Sequence, residues 1–131
     1  MTLRKLTVGT AFALALALAA GSLPEYPANA QAKASAAPAS FARCVTCHTT
    51  NKGGEDKLGP NLYGVFGSAA GQGKFAFSDA LKRSGLKWNE PTLHKWLENP
   101  KGLVPGNRMS FPGIKDAAKR QEIIDYLKKQ S

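Results

Sequence analysis

The sequence predicts an all-α domain in which a few short helices and glycine-rich loops wrap around a bound group. Three observations lead there. Helix-period apolar stripes occur only in short capped stretches, most clearly in the C-terminal third, and no segment alternates as a strand would. Residues 49–74 form a long glycine-rich run with few periodic apolar positions. A run of that length without helix or sheet of its own is unusual in a compact domain, unless it packs against something other than itself. The third observation is Cys44-Val45-Thr46-Cys47-His48, a cluster of chemically reactive side chains at the head of that run.

The first thirty residues read as an export signal, not as part of the domain. Arg4 and Lys5 make a positive start, Val8 to Ala20 is an almost unbroken small and apolar run, and Ala28-Asn29-Ala30 offers a small-x-small cleavage site. That apolar run is 13 residues, shorter than the ~20 a bilayer-spanning helix needs. The expected organisation is therefore a signal peptide over 1–30, cleaved after Ala30, and one domain over 31–131 in the bacterial periplasm. The full chain carries a formal charge of +9. Loss of Arg4, Lys5 and Glu25 leaves +8.

Within the domain, residues 31–39 are alanine-rich and read as a frayed lead-in. Ser40 is placed to cap a short helix running through Phe41, Ala42, Arg43 and Val45. Phe77 to Ser84 suggests one or two helical turns ended by Gly85. Asn89, followed by Glu90 and Pro91, starts a better-defined helix through Glu98, which Asn99-Pro100 stops. Leu93, Trp96 and Leu97 lie along one face of it. Lys101 to Gly113 reads as a loop with Pro105-Gly106 and Pro112-Gly113 on either side of Met109. Asp116 caps a last helix that carries Ile123, Tyr126 and Leu127 on one face and ends in Lys128 and Lys129.

Two cysteines in an exported chain would ordinarily suggest a disulfide. Their spacing, with histidine directly after the second, is instead the attachment signature for c-type haem, in which both thiols form thioethers and the histidine supplies an axial nitrogen. A small domain that buries little of its own surface gains a core from such a cofactor. The competing reading, a thiol redox pair, calls for a strand-helix-strand unit around the motif, and none is legible. The sixth iron ligand then separates a carrier from a haem enzyme or gas sensor with a displaceable distal ligand. Met109 is the one methionine after Met1 and sits in a loop stiffened by prolines. It is the expected ligand, and a His/Met pair raises the reduction potential. His94, at the border of the apolar stripe of its helix, is the alternative ligand and reads better as a rim histidine.

With that motif in place, Gly59-Pro60-Asn61-Leu62-Tyr63-Gly64, Trp88, Leu97-Glu98-Asn99-Pro100, Pro105-Gly106-Asn107-Arg108-Met109 and Ile124-Asp125-Tyr126-Leu127 resemble class I cytochrome c in order and spacing over residues 36–129. The resemblance implies the class I cytochrome c fold around one covalent haem, with the first and last helices crossed. It implies that the Pro60 carbonyl orients His48, that Trp88 donates to a haem propionate, and that Asn107 lies near the other propionate and the Met109 loop. Ile123 and Tyr126 match residues that pack on the first helix. Phe77, Ser68 and Leu81 depart from the polar residues that mitochondrial members place around the propionates. Trp96 stands where a tyrosine usually bonds the methionine sulfur. Phe41 comes one position later than the family's usual aromatic, so its contact must be reached differently.

The positive charge leaves three kinds of partner open: nucleic acid, a membrane surface or acidic proteins. Export and the lack of any basic-aromatic nucleic-acid pattern disfavour the first. The resemblance points to acidic docking surfaces on redox proteins such as a reductase, dehydrogenase or oxidase of a respiratory chain. Arg43, Lys57, Lys101, Arg108 and Lys115 match or neighbour the rim positions that would meet them. The expectation is a monomeric electron carrier that is not an enzyme, binds no nucleic acid and is not inserted in a membrane once the signal is removed.

Overall fold

In the computed structural model, residues 36–131 are described. The expected signal segment and its cleavage site lie outside them. A 3-10 helix, Ala39–Arg43, opens the described chain, followed by α1 (Asp79–Lys82), α2 (Glu90–Glu98), α3 (Pro100–Leu103) and α4 (Ala117–Lys128). No strand occurs among the described residues, only an isolated antiparallel bridge between Ala69 and Lys87. The long stretch before α1 is turns and bends, as its glycines predict.

Side-chain caps place most of the boundaries. Ser78, Asn89 and Asp116 each accept from backbone N–H groups in the first turn of α1, α2 and α4, satisfying donors the helix itself cannot. Two expectations need correction. Ser40 caps nothing: it lies inside the 3-10 helix, whose N-cap is Pro38, and its hydroxyl donates to Glu122 in α4 at 2.9 Å. The loop expected from Lys101 begins instead with a helical turn. Asn99 closes α2 and then caps α3, its Oδ1 accepting from the Gly102 N–H at 3.0 Å with Pro100 in the first position. Proline ends a helix before it but suits the first turn of the next, because the N–H it lacks would have no partner there.

The core lies where α4 meets both α2 and the 3-10 helix. Phe41, Ile123 and Ile124 are completely or almost completely buried there, with Leu93, Leu97 and Leu127 around them. Each such side chain stabilises the fold by about 1.5–3 kcal/mol relative to exposure. Phe41 stacks at a tilt on Tyr126 with ring centroids 4.7 Å apart, so the aromatic contact between the first and last helices is made from the shifted position. Residues of α2 and α4 line one large cleft together with residues of the glycine-rich loops.

Candidate functional site

The attachment segment is a continuation of the 3-10 helix. Cys44 N–H donates to the Phe41 carbonyl, and the N–H groups of Cys47 and His48 both donate to the Cys44 carbonyl, at 3.0 and 2.8 Å. This turn holds the two cysteines three residues apart on the wall of a cleft of about 930 Å³. The 57–62 loop is pinned against it by Gly59 N–H to the Cys47 carbonyl at 2.9 Å and Leu62 N–H to the Thr49 carbonyl at 2.8 Å. Lys57 Nζ donates to the Val45 carbonyl at 2.8 Å.

That pinning sets the imidazole. His48 Nδ1 lies 2.7 Å from the Pro60 carbonyl oxygen. A carbonyl only accepts, so Nδ1 carries the proton and Nε2 keeps its lone pair. Burial lowers the His48 pKa, the Pro60 carbonyl acts against the shift and the Lys57 charge adds to it. The ring is therefore neutral at neutral pH, the form that binds metal. Burial, with some help from Cys47, pushes the Cys44 thiol up to about 11. The attacking thiol of a redox motif works through a depressed pKa, and Cys44, the first of the two cysteines, is shifted the other way.

Gly59 is a residue that sequence reasoning passed over. It is buried, and a Cβ there would sit 2.4 Å from His48 Cε1, which only hydrogen permits. Its place directly before Pro60 was the available signal. The bridge region holds Trp88 through Trp88 N–H to the Ser68 carbonyl and Gly67 N–H to the Trp88 carbonyl, both 2.8 Å. Trp96, on α2, meets Trp88 at a tilt with centroids 5.1 Å apart. Neither indole nitrogen has a protein hydrogen-bond partner among the described residues, and both residues line the cleft.

Met109 follows the turn Val104-Pro105-Gly106-Asn107, in which Asn107 N–H donates to the Val104 carbonyl and Gly106 takes a φ of 87°. This is the signature of a type II turn, which requires glycine at its third position. The Asn107 side chain is buried and bonds the Pro100 carbonyl of α3, the Val104 carbonyl and the Met109 N–H. Beyond Met109 the chain is tied down by Ile114 N–H to the Leu97 carbonyl at 2.7 Å, and by Arg120 Nη1 to the Ile114 and Lys115 carbonyls at 2.7 and 2.8 Å. Arg120 is buried and was also missed. Its spacing of three, four and seven from Ile123, Ile124 and Leu127 places it on the inner face of α4, which was the legible clue.

All eight expected site residues, Cys44, Cys47, His48, Pro60, Trp88, Trp96, Asn107 and Met109, line the same cleft. His94 does not. Its Nδ1 accepts from Arg120 Nε at 3.4 Å, which leaves Nε2–H to donate to Gln121 Oε1 at 2.9 Å, so both ring nitrogens are engaged outside the cleft. The positions where mitochondrial members carry polar groups are occupied differently here. Leu81 is core, Phe77 stacks edge-on against Phe75, and Ser68 Oγ donates to the Val65 carbonyl at 2.7 Å. Of the rim cations, Arg43, Lys57, Lys101, Arg108 and Lys115 are all exposed, and Arg43 and Arg108 border the cleft. Arg108 donates to the Ala76 carbonyl across it.

The cleft fits a haem. Its walls combine many apolar side chains with two thiols, one neutral imidazole and one thioether, a donor set suited to iron.

Comparison with known proteins agrees. The family model described as Cytochrome c matches residues 32–131. The chain is 47% identical over 89 residues to cytochrome c of Theileria parva, covering 68% of this chain and 77% of that one. It is 47% identical over 93 residues to cytochrome c2 iso-2 of Magnetospirillum fulvum, covering 70% and 96%. The structure of cytochrome cH from Methylobacterium extorquens superposes with a TM-score of 0.63 at 52% identity, covering 68% of this chain and 90% of that one.

Proposed function

Because the chain belongs to the cytochrome c family and so carries a covalent c-type haem on Cys44 and Cys47, we propose that it is an exported periplasmic carrier. It would move one electron at a time between a reductase or dehydrogenase and an oxidase or other acceptor. The haem supplies reversible exchange of one electron between ferric and ferrous iron. Every other part of the task falls to the protein.

His48 would hold the iron through Nε2, with the Pro60 carbonyl fixing its tautomer and making the ring a stronger donor. Met109, which lines the same cleft, would supply its thioether as the second protein ligand. With His48 and Met109 both holding the iron there would be no place for a substrate, and the molecule would make and break no substrate bonds. The apolar walls, with Trp88 and Trp96 among them, limit water at the site. Arg43, Lys57, Lys101, Arg108 and Lys115 steer the cleft edge onto acidic partners. Export is supported by the signal-like layout of residues 1–30.

One observation carries the reading: a neutral, oriented His48 and a loop-held Met109 line the same cleft as the two cysteines. The experiment is an intact mass and a visible spectrum of the exported protein. Expected are a mass equal to residues 31–131 with one haem, a weak far-red sulfur-to-iron band in the ferric state, and loss of that band in Met109→Ala. Persistence of the band in that variant, or immediate carbon monoxide binding by the ferrous wild type at neutral pH, overturns the carrier in favour of a protein with an open distal site.

A further inference from the structure

Asn107 is 6% exposed, and its side chain is spent on the backbone of α3 and of the Met109 loop. Nδ2 donates to the Pro100 carbonyl at 3.0 Å and to the Val104 carbonyl at 2.8 Å, while Oδ1 accepts from the Met109 N–H at 3.0 Å. The partners dictate this orientation. Flipping the amide would turn its oxygen toward two carbonyl oxygens and its NH₂ toward an N–H. Both amide hydrogens are therefore committed. A propionate, which as an anion only accepts, finds no donor on this side chain.

We propose that Asn107 is the positioning residue that fixes Met109 as axial ligand, and not a haem-propionate contact. The inference rests on the reading of Met109 as the sixth ligand. The brace runs from a fully buried anchor, Pro100 in the first turn of α3, through one amide to the backbone of the residue that bears the thioether. The same amide grips the Val104 carbonyl, which also closes the turn by accepting from Asn107 N–H at 3.1 Å. The loop is thus held at three backbone points by a side chain two residues from the sulfur. A loop free to swing would let an external ligand replace the thioether; the brace opposes that opening.

The test is imidazole titration of the ferric, haem-loaded protein, following loss of the far-red band. Removing a buried hydrogen-bond set of this kind in Asn107→Ala is expected to raise imidazole affinity roughly tenfold to hundredfold. Asn107→Ser, which can restore one of the three bonds, should recover part of that change. A core variant, Ile124→Val, serves as a control for general loosening and should stay within about twofold of wild type, since Ile124 is buried in α4 and does not line the cleft. Unchanged affinity in Asn107→Ala overturns the proposal, as does an equal rise in Ile124→Val. So does unchanged affinity accompanied by an altered pH dependence of the reduction potential, the result a propionate contact predicts. If Asn107→Ala does not take up haem, the serine variant and hydrogen exchange of the wild-type Met109 amide decide. Strong protection supports the brace, and exchange at the rate of a free amide refutes it. A wild type without the far-red band removes the Met109 reading itself, and the brace with it, whereas a normal wild-type band beside an unmoved Asn107→Ala sinks the brace alone.

Discussion

Gly59 shows how much a single hydrogen atom controls at this site. The loop that delivers the Pro60 carbonyl to His48 passes so close that an added Cβ would lie 2.4 Å from one ring atom and within 2.9 Å of both nitrogens. Gly59→Ala must push either the ring or the loop aside, and the 2.7 Å bond to Pro60 stretches either way. The expected result is about 1–3 kcal/mol of lost stability, as for other overpacked sites, with a lowered haem-loaded fraction. Urea unfolding and haem-to-protein absorbance ratios measure both, and wild-type values for the two would refute the crowding argument. The place of four cleft residues was legible in advance: Cys44, Cys47 and His48 by their motif, Met109 by its setting between prolines. The roles of Gly59, Asn107 and Arg120 were not, because each depends on a neighbour's carbonyl or ring brought close only by the folded chain.

Among the elements, boundaries were readable wherever a short polar side chain could cap a helix from sequence alone. Asn89 and Asp116 did so as expected, and Ser78 sits at the start of the turn expected before Gly85. The misreadings came where one residue serves two elements, as Asn99 does, or where a better partner lay across the fold, as Glu122 does for Ser40. The contact of α2 with α4 also contains a charge pair, Lys128 Nζ against Glu90 at the start of α2, with Asp125 at 3.5 Å. The hydrogen bond from Lys128 lowers the Glu90 pKa, and the bond to Glu90 raises that of Lys128. A depressed carboxylate contributes stability above its unfolded pKa and loses it as pH falls through the folded value. A raised ammonium contributes below its unfolded pKa and loses it as pH climbs through the folded value. The pair therefore holds between those limits. Glu90→Gln should be slightly less stable than wild type at neutral pH, with the gap closing in acid below the carboxylate range. Urea midpoints at the two pH values check this, and a gap independent of pH would assign the effect to packing.

At the scale of the whole molecule, a net charge of +9 is spread over a chain whose cleft is bordered by Arg43 and Arg108. The field at the cleft edge, more than the total charge, should govern encounter with a redox partner. Oxidation of the ferrous protein by anionic ferricyanide is expected to slow roughly tenfold or more between low and high salt, while a cationic cobalt complex should react faster as salt rises. Stopped-flow rates with both reagents decide it, and matching salt responses would remove electrostatic steering from the account. The sequence by itself determined the covalent anchor, the all-helical class and the basic character, because these follow from residue type, spacing and local capping. Only the tertiary structure decided that His94 faces away from the cleft, that the Asn107 amide is used up on the backbone of α3 and of the Met109 loop, and that the loops close on one shared space. Those outcomes depend on directional hydrogen bonds and close packing between residues far apart in the chain, which no local pattern encodes.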